Sequence, residues 1–339
     1  MKNYIYSCLI LLLTLGSSCK TGSKLPKITP AVITEKTGYD SDDPAIWYNE
    51  KAPEKSIVFG TDKSSDGAVY AFDLSGKILP EKTLKNIRRP NNVDIAYKVR
   101  INDSTYSAVL AFTEREKRQI RLYSIPEMKP LDNGGFPVFS DETTVDFDLP
   151  MGIALYRPSN SEKLYAIVSR KQGPKSNYLY QYELTANQGV FQSKLVRKFG
   201  AFSGKKEIEA IVVDNELGHV YYSDEQHGIR KYYADPNKGS EELACFGGAH
   251  FEEDIEGIAL IKTTDTQGYL IVSNQQKGEF NLFNRENNAF VKAVNLGTTA
   301  TDGCDGYHRS MGPLFPNGIF VAMNDDKNFY FYDLATIIP

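Results

Sequence analysis

The sequence predicts an all-β chain: a six-bladed β-propeller of four-stranded antiparallel blades. Three observations predict it. An apolar strand, a polar cluster and a second strand ending in an aromatic recur six times, as in SIVFGTDKSSDGAVYAF, AVLAFTEREKRQIRLYSI and IFVAMNDDKNFYFYDL. The equivalent positions Thr61, Thr113, Ser169, Ser223, Ser273 and Met323 lie about 50 residues apart, which is one blade length. Finally, the chain carries 21 Tyr and 12% aromatics but few Ala-Leu-Glu runs, a composition suited to sheet. A β-helix would show a shorter period, and two sandwiches would not give six similar spacings.

The elements follow in order. Lys2 precedes an apolar run from Ile5 to Leu15 and then Gly16-Ser17-Ser18-Cys19. That run is shorter than the roughly 20 residues a membrane helix needs, so residues 1–19 read as an export signal. Cys19 after small residues resembles a bacterial lipobox, making it the lipidated first residue of an exported lipoprotein, periplasmic or anchored at the outer membrane. Ordinary secretory cleavage nearby is the alternative. Residues 20–30 read as a polar tether and residues 31–339 as the propeller. Inner strands are expected at Asp43-Pro44-Ala45-Ile46, Val93-Asp94-Ile95, Met151-Gly152-Ile153, Glu209-Ala210-Ile211 and Glu256-Gly257-Ile258. Thr301-Asp302-Gly303 is a less regular sixth. Small residues there suit a crowded axis. The chain ends on a strand from Asn328 to Leu334. Residues 31–35 are expected to supply the missing outer strand of that last blade and close the ring.

Composition excludes several partners. With 39 basic against 43 acidic residues, the net charge of −4 gives no reason to expect nucleic acid. Among the cysteines, Cys245 and Cys304 read either as one disulfide or as two buried free thiols. Scattered histidines leave no zinc spacing. No nucleophile elbow, Walker loop or dinucleotide fingerprint is present. A monomer is expected.

The acidic residues follow the repeat. Inner strands of a propeller run the same way along the channel, so their leading ends gather on one face. Asp42 and Asp43 open the first, Glu209 the fourth, and Asp254 and Glu256 the fifth. Asp302 and Asp305 flank the sixth, and Asp224 and Glu225 sit at a turn of blade four. Carboxylates so gathered repel unless a cation joins them. With Asn91 and Asn92 as further oxygen donors, and no histidine or thiolate, that cation is calcium, in several copies. Lys63, Arg115, Arg170 and Lys171 lie on turns of blades one to three. Calcium on one side of a cleft and Lys/Arg on the other make a phosphate site.

Asp42-Asp43-Pro44-Ala45-Ile46-Trp47, Asn91-Asn92-Val93-Asp94-Ile95, Asp254-Ile255-Glu256-Gly257 and Thr301-Asp302-Gly303, with Lys63 downstream of the first, resemble the motifs of β-propeller phytases. The resemblance covers nearly all of the chain after the tether. It implies a six-bladed, calcium-dependent hydrolase of myo-inositol hexakisphosphate (phytate) and related inositol phosphates. By position it makes Asp42, Glu209, Glu225, Asp254 and Glu256 active-site calcium ligands, and Lys63, Arg115 and Lys171 the cations that bind phosphate and stabilise its transition state. It makes Asp43, with the carbonyls of Pro44 and Val93, a structural calcium site, and Asp302 a ligand near the channel. Glu209 is the candidate to orient or deprotonate the attacking water. A Tyr that contacts phosphate in some members falls at Met151, which cannot donate that hydrogen bond. Two rivals stand beside this reading: a calcium-dependent propeller lactonase or esterase, and a non-catalytic surface propeller with its charges scattered around the rim.

Overall fold

A computed structural model describes residues 22–159 and 161–339. Six four-stranded antiparallel sheets make six blades. Their first strands, Ser41–Trp47, Pro90–Arg100, Pro150–Tyr156, Ile211–Asp214, Ile255–Lys262 and Cys304–Tyr307, pack side by side in sequence order, and the sixth returns to the first. These six strands therefore line the axis. The ring closes as expected, with a strand narrower than residues 31–35. Val32–Ile33 pairs with Phe331 and Tyr330 and becomes the outer strand of blade six.

Every blade is covered on both faces by its neighbours, so its central strands are apolar on both faces. Leu164–Arg170, for example, is buried throughout. The core divides into six clusters, one per junction between blades. Phe59 and Val69 of blade one meet Leu110 and Phe112 of blade two, and Val321 and Phe331 of blade six meet Ile46 and Phe72 of blade one. At the axis the inner strands approach too closely for side chains. A Cβ on Gly152 would lie 1.8 Å from the Glu209 carbonyl oxygen, and one on Gly303 would lie 2.4 Å from Asp43 Oδ1. Glycine is required at both positions by contact with the next blade.

The six repeat positions are each the penultimate residue of a second strand. Several stitch blades together through a hydroxyl. Thr113 Oγ1 accepts the N–H of Asn92 in its own blade at 3.3 Å and donates to the Met151 carbonyl of the next at 2.7 Å. Ser169 repeats this between the Gly152 N–H (2.9 Å) and the Ile208 carbonyl (2.7 Å). Thr61 does so between Asp43 and Asn91. Thr113→Val keeps the shape and leaves a buried N–H and C=O unpaired. It should destabilise by about 2 kcal/mol, read as a lowered midpoint in chemical denaturation. An unchanged midpoint would show that the stitch carries no stability.

Two expectations change at the ends and cysteines. The export segment and Cys19 lie outside the described residues. The described part of the polar tether is docked, not free: Ser23 donates to Glu279 at 2.7 Å, and Ile28 N–H to the Asn295 carbonyl at 2.8 Å, along blade five. Among the described residues Cys245 and Cys304 are unpaired with each other, Cys245 exposed and Cys304 buried.

Candidate active site

The first strands of blades one, two, three and five start with the same irregularity. Pairing with the second strand slips between Ser41 and Pro44, Pro90 and Val93, Pro150 and Ile153, and Ile255 and Ile258. A bulge frees the residues inside it from the ladder and re-aims their side chains. Those residues are Asp42-Asp43, Asn91-Asn92, Met151-Gly152 and Glu256-Gly257. Glu209-Ala210 and Asp302-Gly303 hold the same place before the inner strands of blades four and six. The ring of carboxylates thus has a backbone cause.

The side chains join into one arc. Lys63 Nζ lies 3.0 Å from Asp42 Oδ1 and also bonds Asp302. Asn91 Nδ2 bridges Asp42 Oδ2 at 3.2 Å and Glu209 Oε1 at 3.3 Å. Glu207, Glu209 and Glu225 each offer an oxygen within 4.8 Å of the others, and so do Glu225, Asp254 and Glu256. Glu225 is the shared corner. Asp302 Oδ1 accepts from Gln275 at 2.7 Å.

Burial dominates the electrostatics. It pushes Glu225 up to about 8, against the pull of Lys206 and with help from Glu209 and Glu207. It raises Asp42 and Glu256 well above the usual carboxylate range, Lys63 opposing at Asp42 and Glu225 adding at Glu256. Asp302 is raised by the same cause. Asp254 goes the other way: burial works to raise it, but hydrogen bonds from Lys206, Gln226 and Gln276 outweigh that. Lys63 is also held high, because Asp42, Asp302 and Glu209 overcome its burial.

The oxygens fit a hard cation. Among the described residues, Glu225 Oε1 and the Oδ1 atoms of Asn91 and Asn92 are buried and accept no hydrogen bond, while Glu225 Oε2 meets only the Lys206 ammonium, at 3.0 Å. Histidine and thiolate are absent from the cluster, as calcium chemistry requires and zinc chemistry does not. Deeper in the channel, Asp43, Pro44 and Val93 border one small cavity. Asp43 Oδ2 accepts the Val93 N–H at 3.0 Å, and burial raises its carboxyl well above the usual range.

The cations sit where blades one to three meet the arc. Arg115 is 8% exposed and has no carboxylate within ion-pair range among the described residues. Its Nε is unpaired and its Nη2 rests against Met151 Sδ. Burial lowers its pKa, Glu209 opposing. Lys171 Nζ lies 2.5 Å from Glu207 Oε2. Arg170 corrects the expectation that it binds substrate. Its guanidinium is fully buried between the Phe139 and Tyr180 rings, bonded to Glu142 at 2.6 Å and to the carbonyls of Phe147, Asn177 and Tyr178. Four of its five N–H donors are taken and the group is shut off from solvent, so it is not placed to meet phosphate.

Sequence reasoning missed Glu207 and Lys206. Both lie in the loop before Glu209, and Lys206 is 2.5 Å from Asp254. Glu207 stands two residues before Glu209, a spacing that keeps both on one side of an extended segment and was the available signal. Asp224, at the same turn as Glu225, is structural: it binds Arg230 at 2.8 Å and the Ser203 hydroxyl at 2.7 Å.

Comparison with known proteins bears on the fold and the family. The solved WD40 β-propeller domain of Doa1 is similar in fold, with a TM-score of 0.51 at 13% identity over 89% of this chain and 95% of that one. A curated 3-phytase from Bacillus subtilis (strain 168) is 32% identical over 303 residues, covering 85% of this chain and 75% of that protein. A family model described as Phytase matches residues 13–330. A six-bladed ring, a carboxylate arc with cations along one side, and matches of this extent lead to one conclusion: the chain is an enzyme of the phytase family.

Proposed function

We propose that the protein is a calcium-dependent phosphomonoesterase that hydrolyses phytate (myo-inositol hexakisphosphate) and releases inorganic phosphate. Asp42, Glu209, Glu225, Asp254 and Glu256, with Asp302, would hold calcium at the mouth; Asp43 and the Pro44 and Val93 carbonyls would hold it in the channel. Calcium, when bound, acidifies water and screens the charge of the ester. The remaining work falls to the protein. Lys63, Arg115 and Lys171 hold the phosphate oxygens and oppose the charge that builds on them in the transition state. The Glu209 carboxylate orients the attacking water and accepts its proton. The new P–O bond forms from that water as the bond to the inositol oxygen breaks, and that oxygen takes a proton from solvent and leaves as the free hydroxyl. Met151 offers no hydrogen bond to phosphate, so orientation at that position falls to Arg115 beside it. For the full chain we propose export through residues 1–19, a lipid anchor on Cys19 and a monomeric propeller.

Arg115 is the observation that carries this reading. A buried guanidinium without a carboxylate partner, next to a crowd of carboxylates, is a site for an anion from solution. Phosphate release from phytate should stop with chelator and return with added calcium. Release that ignores the chelator would remove the metal from the reading, and none with calcium present would remove the hydrolase.

A further inference from the structure

We infer that Lys206 is a built-in competitor for the metal site: its ammonium and a divalent cation contest the same three carboxylates, and Lys206 sets the calcium concentration at which the site loads. The inference rests on the calcium reading above. Lys206 Nζ lies 3.0 Å from Glu225 Oε2, 2.5 Å from Asp254 Oδ2 and 3.4 Å from Glu256 Oε1. Those are the carboxylates whose oxygens converge within 4.8 Å. Calcium takes its oxygens at about 2.3–2.6 Å, so an ion serving this triad would overlap the ammonium. One of the two must leave.

Lys206 is built to leave. Its loop is fixed where it starts: Ser203 donates through N–H and Oγ to Asp224 at 2.8 and 2.7 Å, and Gly204 follows at a φ of +79° that favours glycine. The side chain beyond is a flexible stem with a third of its surface exposed. On its open side lies a cavity of about 460 Å³ shared with Lys171, Phe147 and Phe202, wide enough for the stem and for hydration of the ammonium. The adjacent Lys205 carries the same charge but, among the described residues, binds only the Gln226 carbonyl, at 2.7 Å. It supplies the control.

A competitor resident about nine-tenths of the time weakens apparent affinity about tenfold. Calorimetric titration of the full chain with calcium alone, without substrate, reads this directly. Lys206→Met should tighten one class of calcium sites about tenfold, and Lys206→Gln, which keeps a polar tip, should do the same. Lys205→Met should stay within about twofold of wild type, because it removes charge without freeing the triad. If wild type binds calcium and Lys206→Met binds it no more tightly than Lys205→Met, the competition is refuted and the calcium reading stands. If wild type binds no calcium, both fall together.

Discussion

Glu225→Gln should lower calcium-dependent turnover about 100- to 1,000-fold and, in calcium-free protein at pH 8, raise the melting temperature. The two effects share one cause. Glu225 is the corner common to both carboxylate triads; its Oε1 accepts no hydrogen bond among the described residues, and its Oε2 meets only the Lys206 ammonium. Losing it removes a ligand from each triad. Keeping it, without a divalent ion, leaves a buried charge that burial resists, with a pKa pushed from 4.5 to about 8. Below about pH 4.5 the folded and unfolded states both hold the proton, and the contribution of Glu225 to stability is fully present. Between about pH 4.5 and 8 the unfolded chain gives the proton up while the folded one retains it. Folded stability therefore falls as pH rises, and the loss is complete above about 8. Calcium would bind the deprotonated form, so its affinity should rise over the same interval. Calorimetry at pH 5 and pH 8 with and without calcium separates these effects. Wild type without calcium should melt lower at pH 8 than at pH 5, and the variant should lose most of that difference. A variant that melts no higher than wild type at pH 8, or turns over normally, would show that Glu225 is not the strained corner of the site.

The blade count was legible because each repeat carries the same chemistry at the same place. Thr61, Thr113, Ser169 and Ser273 each send a hydroxyl to a carbonyl on the way into the next blade. A fixed structural task keeps small hydroxylated residues at fixed intervals, and the eye finds them. The acids were legible for a related reason: a bulge at a strand's start recurs with the strand. Sequence could not show which turn residues reach the mouth. Arg170 and Lys171 are neighbours in and just after a strand, where successive side chains point to opposite faces. Only one of the two can face the cleft, and the burial of Arg170 among Phe139, Tyr180 and Glu142 decides it. Lys206 was invisible for the opposite reason. It lies in the connector between the outer strand of blade three and the inner strand of blade four, outside the strand positions by which the repeats are matched. The irregular sixth inner strand begins only at Cys304, with Gly303 before it close against Asp43 of blade one.

Lys63→Ala should reduce turnover on phytate about 100- to 1,000-fold while leaving the calcium-loaded fold intact. Lys63 touches Asp42 and Asp302, from blades one and six, and stands opposite the triads around Glu225. With calcium on the acids, its ammonium would be free to hold a phosphate oxygen, a task alanine cannot take over. Without calcium the change leaves two carboxylates buried with no cation between them. Removing one partner of a buried pair costs about 3–5 kcal/mol. The calcium-free variant should therefore unfold at a lower temperature than wild type, and calcium should recover most of the deficit. Glu225→Gln moves calcium-free stability up and Lys63→Ala moves it down, yet both destroy turnover. Loss of packing alone would move both variants down, so the opposite signs isolate charge as the common cause. Wild-type turnover in Lys63→Ala would remove Lys63 from the phosphate site, and equal calcium-free melting in the variant and wild type would show that Asp42 and Asp302 are neutral without it.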